Sequence, residues 1–302
     1  MADLLVVGSV ALDSVTTPFG SVKEALGGSA TFFSYAASFF TTVRVVATVG
    51  DDFPPEHLTL LRDRGVDTSG LQPARGRTFR WVGEYGYDLN EARTLDTQLN
   101  VFADFKPVLP PALAGAPFLF LANIDPVLQL DVLRQMARPR LVALDTMNFW
   151  IQGKRDDLQR VLAEVDVLVI NDAEARQLAK EPNLVRAARA IVGFGPKTVV
   201  VKRGEYGVVM AADGQFFFAP AYPLDSVFDP TGAGDTFAGG FMGHIAAQGT
   251  VEPATIRRAI VYGSVMASFT VEDFSLNRLT RLAPAEIETR YAAFRELVRI
   301  DG

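Results

Sequence analysis

The chain has 302 residues, with 35 acidic side chains against 29 basic ones, and no cysteine. A formal net charge of −6 with no Lys/Arg cluster argues against a nucleic-acid-binding surface. The missing cysteines remove disulfides, thiolate zinc, iron–sulfur ligation and cysteine nucleophiles, and two histidines, His57 and His244, leave little for a histidine-rich metal site or a Ser-His-Asp triad.

The first eight residues lack a basic n-region, carry an acid at Asp3, and read as a buried strand over 4–7 instead of a signal peptide. The apolar runs are strand-length and fall short of the roughly 20 residues a membrane span needs, so the expected location is the cytoplasm. Further short Val-, Leu- and Phe-rich runs at 43–49, 118–121, 141–144, 165–170 and 198–201 read as strands buried on both faces. Helical stretches separate or follow them at 30–40, 56–64, 127–137, 156–164, 173–179, 183–192, 235–247, 253–270 and 285–298. Strand alternating with helix predicts a mostly parallel sheet covered by helices, in one domain over 1–302. One segment breaks the rhythm. Over 77–100 the chain is polar, with Phe79, Trp81, Tyr85 and Tyr87 in a strand pattern around Gly83 and Gly86. Together with 14–26 it reads as a small β lid on the α/β body, wet on one face.

The most informative stretch runs Asp229-Pro230-Thr231-Gly232-Ala233-Gly234-Asp235. Gly-Ala-Gly lets backbone N–H groups turn inward, and a helix starting near Asp235 adds its N-terminal donors and positive dipole end. That combination is an anion hole suited to a phosphoryl group in transfer, with Asp235 beside it to take a proton from an attacking hydroxyl. The bland alternative is a capped helix whose glycines only permit packing. Asn171 and Glu174 also form the pattern of a capping box. Asp145 and Asn148 stand where a buried strand ends, the place ligands collect in open α/β sheets. No Gly-x-x-x-x-Gly-Lys-Ser/Thr run and no Gly-x-Gly-x-x-Gly follows a strand, which disfavours P-loop and dinucleotide-binding folds.

The stretch from Asp229 to Asp235 resembles the C-terminal signature of the PfkB, or ribokinase-like, carbohydrate kinases. Gly27-Gly28 resembles that family's paired-glycine motif, Asn171-x-x-Glu174 its Asn-x-x-Glu motif, and Gly204-x-x-Gly207 its nucleotide loop. These stand in the family's order over nearly the whole chain. The resemblance implies a three-layer α/β/α sandwich with a mostly parallel central sheet and a β lid. It implies an ATP- and Mg²⁺-dependent phosphotransferase acting on a hydroxyl of a small sugar or sugar-like metabolite. Asp235 would be the base, with the N–H groups of Gly232, Ala233 and Gly234 steadying the transferring group. Asp13, Gly27 and Gly28 would hold the acceptor. Asn171, Lys202, Gly204 and Gly207 would meet the nucleotide, and Glu174 would hold Mg²⁺ through water. Asp229 and Thr231 match the loop that binds a monovalent cation such as K⁺ in some members. Asp145 is added as a substrate contact, and relatives that dimerise through the lid make a homodimer an expectation.

Two positions depart from the family pattern. Phe32 stands where many sugar-specific relatives carry an Asn, and Lys202 replaces the usual Thr before the nucleotide loop. An aromatic at 32 packs against an apolar face of the acceptor instead of holding a hydroxyl. With Arg80 and the lid aromatics, it leaves a nucleoside or cyclitol as the alternative acceptor. A catalytically idle metabolite sensor is the remote alternative, disfavoured because a sensor needs no base at 235.

Overall fold

A computed structural model describes residues 3–300. The first third runs β1 (Leu4–Val7), β2 (Ala11–Thr17), β3 (Gly20–Gly27), α1 (Ser29–Ala37), β4 (Val43–Val49), α2 (Pro55–Asp63), β5 (Asp67–Pro73), β6 (Phe79–Tyr85) and β7 (Ala92–Gln98). The middle runs α3 (Pro111–Ala114), β8 (Phe118–Leu121), α4 (Pro126–Gln135), β9 (Leu141–Asp145), α5 (Asn148–Gly153), α6 (Arg155–Leu162), β10 (Val167–Asn171), α7 (Asp172–Ala179) and α8 (Leu184–Val192). The remainder is β11 (Thr198–Lys202), β12 (Val208–Ala212), β13 (Gln215–Ala219), α9 (Ala233–Gln248), α10 (Pro253–Thr270), α11 (Asn277–Thr280) and α12 (Pro284–Leu297).

Nine strands form the central sheet in the order β13-β12-β11-β10-β9-β8-β1-β4-β5. Strands β5 through β11 of that order pair in parallel, and β12 and β13 close one edge antiparallel. Successive side chains point to opposite faces, so a fully apolar strand feeds two cores at once. Leu4 and Val6 pack among Phe33, Phe241 and Met266 of α1, α9 and α10, while Leu5 and Val7 pack among Val132, Leu158 and Ile191 of α4, α6 and α8. Helices therefore cover both faces, which gives the three layers expected from the sequence. The chain builds outward from β1 to β5 on one side and then from β8 to β11 on the other. That reversal opens a crevice at the carboxyl ends of the strands, where such sheets bind ligands.

A second sheet, ordered β3-β2-β6-β7, stands apart from the first. Its β2–β6 pairing is parallel and its outer pairings are antiparallel. Three differences from the sequence-based expectation have simple causes. Helix α9 begins at Ala233, two residues early, because Gly232 takes the left-handed N-cap position at φ 75°. The edge strand β5 reads Asp-Thr-Ser-Gly-Leu-Gln-Pro, too polar to show a buried-strand pattern. Strands β12 and β13 form a hairpin after the parallel strands, whereas the sequence reading stopped at 201. No helix among the described residues is long and apolar enough to cross a membrane.

Candidate active site

Strands β9, β10 and β11 deliver their last residues, Asp145, Asn171 and Lys202, to one rim of the sheet. The register pairs Asn171 with Lys202 and Val169 with Asp145. Lys202 Nζ lies 3.1 Å from Asp145 Oδ2, and the Thr146 N–H donates to the other carboxylate oxygen at 2.7 Å. Behind them the buried Gln129 donates to the carbonyls of Ala122 and Asp145 at 2.9 and 3.1 Å, tying the ends of β8 and β9 together. Burial works against the Lys202 charge, but Asp145, Glu174 and Asp235 outweigh it and hold the ammonium above the ordinary lysine range.

The loop before α9 meets this rim. A side chain at Gly232 would run into the Phe32 ring, and a Cβ on Gly234 would sit 2.8 Å from Lys202 Nζ. The Lys202 ammonium thus lies against the Gly-Ala-Gly turn. The Ala233 N–H already donates to the Pro230 carbonyl at 3.1 Å, so the expected donation from Ala233 to a phosphoryl group is not available in this geometry. The Gly232 N-cap has no side chain to cap α9, and the Asp235 carboxylate, in the first turn, accepts its own backbone N–H. Burial, with the Asp145 carboxylate beside it, pushes Asp235 up to about 7.

Across the crevice Asp13 sits in β2, buried, and accepts the Gly28 N–H at 3.3 Å. A side chain at Gly27 would collide with the Asp13 carboxylate, and Gly28 has φ 93° with the Ser9 carbonyl 2.6 Å from where its Cβ would be. Burial pushes Asp13 up to about 7 as well, against the Gly28 hydrogen bond, with the charges of Asp235 and Asp229 adding to it. Between Asp13 and Thr231 is a narrow space of about 10 Å³, lined by Val15, Val22, Leu26 and Phe32. That volume holds about one water molecule. Asp229 Oδ1 accepts the Thr231 N–H at 2.9 Å and Oδ2 the Ser275 N–H at 3.5 Å, so this carboxylate braces the turn.

Where β10 passes into α7, Asn171 Oδ1 accepts the Glu174 N–H at 2.8 Å while Glu174 Oε2 accepts the Asn171 N–H at 3.0 Å, a complete capping box. The Glu174 carboxyl is nevertheless pushed up to about 7, by burial and then by Asp145. Gly204 follows β11 at φ 53°, and Gly207 closes the loop at φ 82° with its Cβ position blocked by the Ala219 carbonyl. Among the described residues no group of three or more His, Cys, Asp or Glu is arranged to hold a metal ion.

The lid reaches both halves of the site. Thr231 Oγ1 donates to the Tyr85 hydroxyl at 3.3 Å, and Asn90 Oδ1 lies 2.5 Å from the Cβ position of Gly204. Burial pushes the Tyr85 hydroxyl up to about 12, with Asp229, Asp13 and Asp235 adding to it. The other lid aromatics do not arrive. Phe79 stacks on Phe102 at 5.4 Å, Trp81 folds over Gly83, and Tyr87 is 89% exposed. Arg80 pairs with Glu24 at 2.8 Å and Asp52 at 2.7 Å, and stands in register with Leu12 instead of Asp13. It clamps the lid to the turn after β4, and the expectation that it binds substrate is replaced by that role. The Asp145–Lys202 pair and the Tyr85 and Asn90 contacts were missed by sequence reasoning. Only Tyr85 had a usable signal, its odd-numbered parity with Trp81 and Gly83 on the Asp13 face.

Comparison with known proteins gives the family and the fold. The sequence model of the pfkB family of carbohydrate kinases matches residues 1–280. A cytidine kinase of Thermococcus kodakarensis is 32% identical over 248 residues, covering 80% of this chain and 88% of that protein. A nucleoside kinase of Methanothermobacter thermautotrophicus is 26% identical over 289 residues, 90% of each chain. The crystal structure of a ribokinase from Cryptococcus neoformans in complex with ADP superimposes with a TM-score of 0.77 at 20% identity, over 96% of this chain and 100% of that one. The chain has the ribokinase-like fold and belongs to the pfkB family of carbohydrate kinases, a phosphotransferase whose relatives act on sugars or nucleosides.

Proposed function

We propose that this kinase moves the γ-phosphate of ATP to a hydroxyl of a nucleoside. The observation that carries the acceptor class is the lining of the space beside Asp13. Val15, Val22, Leu26 and Phe32 stand there around Asp13, while the second buried acid of the lining, Asp229, is already engaged by the Thr231 and Ser275 N–H groups. A free sugar presents hydroxyls all round, and apolar walls would leave several of them unpaired at a cost of about 1–3 kcal/mol each. A nucleoside offers a hydroxyl edge to Asp13 and a flat, largely apolar base to the walls. The cytidine and nucleoside kinases among the relatives support the same class.

Asp13 positions the acceptor, and Asp235 takes the proton from its attacking hydroxyl. An acid pushed up to about 7 is well matched to general base work near neutral pH. Lys202, which lies against this turn, and the Gly232 and Gly234 N–H groups would balance the charge of the transferring group. Asp145, Glu174 and Asp235 bring three carboxyl groups to the single Lys202 ammonium. That surplus fits a divalent cation, with Glu174 reaching Mg²⁺ through water, as suits an ion that keeps much of its hydration. ATP with Mg²⁺ supplies the phosphoryl group and neutralises its oxygens; the protein supplies orientation and exclusion of water.

An ADP-release assay with Mg·ATP and a panel of nucleosides, ribose, fructose and cyclitols tests this reading. Nucleosides should exceed free ribose in kcat/KM by about 100-fold, the discrimination expected when polar groups are left unpaired in the wrong complex. Equal or better turnover of a free sugar would return the assignment to a sugar kinase.

A further inference from the structure

A second cavity lies far from the chemistry. Helix α9 carries the Gly-Ala-Gly turn at its first residues and His244 and Gln248 in its last turns. The nine-residue step from Asp235 to His244 is about 14 Å along the axis, which places His244 toward the opposite rim of the sheet. There His244, Gln248, Arg258, Tyr262, Tyr291 and Arg295, from α9, α10 and α12, line a cavity of about 590 Å³. That is the size of a small-molecule site, roughly 300–1,000 Å³.

The floor is rigid. Tyr262 is stacked between His244 at 4.3 Å and Tyr291 at 4.2 Å, with Phe40 packed edge-on at 5.5 Å. The Tyr262 hydroxyl donates to Glu288 at 3.1 Å, so that carboxylate is engaged below the stack. The walls are cationic. Arg258 and Arg295 form no ion pair among the described residues, whereas Arg278 and Arg290, on the neighbouring faces of the same helical layer, are held by Glu272. His244 is only 7% exposed, and its Nε2 has no hydrogen-bond partner. Burial and the nearby Arg258 charge push it down to about 4, so it lines the cavity as a neutral donor and acceptor.

We propose that this cavity is a second ligand site, for a small polyanion such as a diphosphate or tricarboxylate metabolite. Two free guanidiniums present ten N–H donors in planar forks suited to phosphate or carboxylate oxygens. The Gln248 amide adds a neutral donor, and the stacked rings give a flat base. What sets Arg258 and Arg295 apart from the other surface arginines is that both line one cavity, beside the buried, unpartnered His244 Nε2. A cationic ligand is opposed by both guanidiniums, and an apolar one by the desolvation of these side chains.

Isothermal titration of the whole protein with inorganic pyrophosphate, and separately with citrate, tests the site. The kinase cleft is first saturated with the Mg²⁺ complex of the β,γ-imido analogue of ATP, so that only binding elsewhere is read. At least one probe should bind at one equivalent, and the tighter one identifies the charged group. The Arg258→Gln/Arg295→Gln double variant should weaken that binding by about tenfold or more, a loss of at least about 1.4 kcal/mol. Its turnover without added anion should match the parent, since neither residue belongs to the cleft. Asp235→Asn should bind the anion unchanged. Silence from both probes overturns the proposal. So does binding that survives in the double variant or is lost in Asp235→Asn.

Discussion

The rim of the nine-stranded sheet and the four-stranded lid face each other across one cleft, but they are held by different forces. Asp145, Asn171 and Lys202 end strands whose other residues are buried on both faces, and Gly232 to Asp235 open a helix buried along most of its length. Their positions are set by core packing, which tolerates little movement. The lid is anchored by the Arg80–Asp52 ion pair at its base and by the Tyr85–Thr231 hydrogen bond over the cleft. Each of these is a polar contact of modest net strength. With only about 10 Å³ open beside Asp13, no nucleoside enters until the lid moves. On the proposed function, the chemistry belongs to the rigid wall and admission to the breakable one.

Changes on the rigid wall should have the largest effects. Asp235→Asn should lower kcat by about 100- to 10,000-fold, the usual contribution of a general base, with the fold intact. The same variant should be more stable than the parent at alkaline pH. The folded-state value of Asp235, about 7, lies above the unfolded value of 3.8, so the folded chain binds the extra proton between those limits. Stability is lost as pH rises through that window. The thermal midpoint of Asp235→Asn should thus exceed that of the parent at pH 8, and the difference should vanish below pH 4. An equal difference at both pH values would mean that the Asp235 charge is not what strains this wall.

Next in size is Lys202→Met, which keeps the chain length and removes the ammonium. It leaves the buried Asp145 carboxylate without its cation and clears the charge that lies against Gly234. Breaking such a pair costs about 3 kcal/mol, so both the thermal midpoint and kcat should fall. A loss of kcat with an unchanged midpoint would separate the two roles and show that the pair contributes little to stability.

The contrast between the walls also explains what could be read from the sequence. Strands buried on both faces announce themselves as continuous apolar runs, and β1, β4 and β8 match their sequence-predicted limits. The glycines at 27, 28 and 232 are legible because a Cβ there would meet the Asp13 carboxylate, the Ser9 backbone and the Phe32 ring in turn. The ion pair between Asp145 and Lys202 is not legible, because 57 residues separate its partners and only the register of three strands brings them together. Arg80 was grouped with the lid aromatics although it alternates with Phe79 and Trp81. A strict two-residue period would have put it on the other face from Asp13. The contact of Asn90 with Gly204 joins a loop tip to a turn and leaves no periodic trace at all.

Tyr85→Phe gives the smallest and most discriminating effect, because it removes a single oxygen at the junction of the two walls. The ring stays packed and only the hydrogen bond with Thr231 is lost, worth about 1 kcal/mol, or roughly fivefold in an equilibrium constant. If the lid governs admission alone, that loss falls on acceptor binding. Because that bond holds the empty lid shut, KM for the nucleoside should then fall by up to about fivefold, with kcat and its pH profile nearly unchanged. A fall in kcat at constant KM would instead place the Tyr85 hydroxyl among the groups that act on the transition state. It would mean that the lid brings part of the chemistry with it when it closes, and the division between a rigid catalytic wall and a mobile admitting one would fail at this residue.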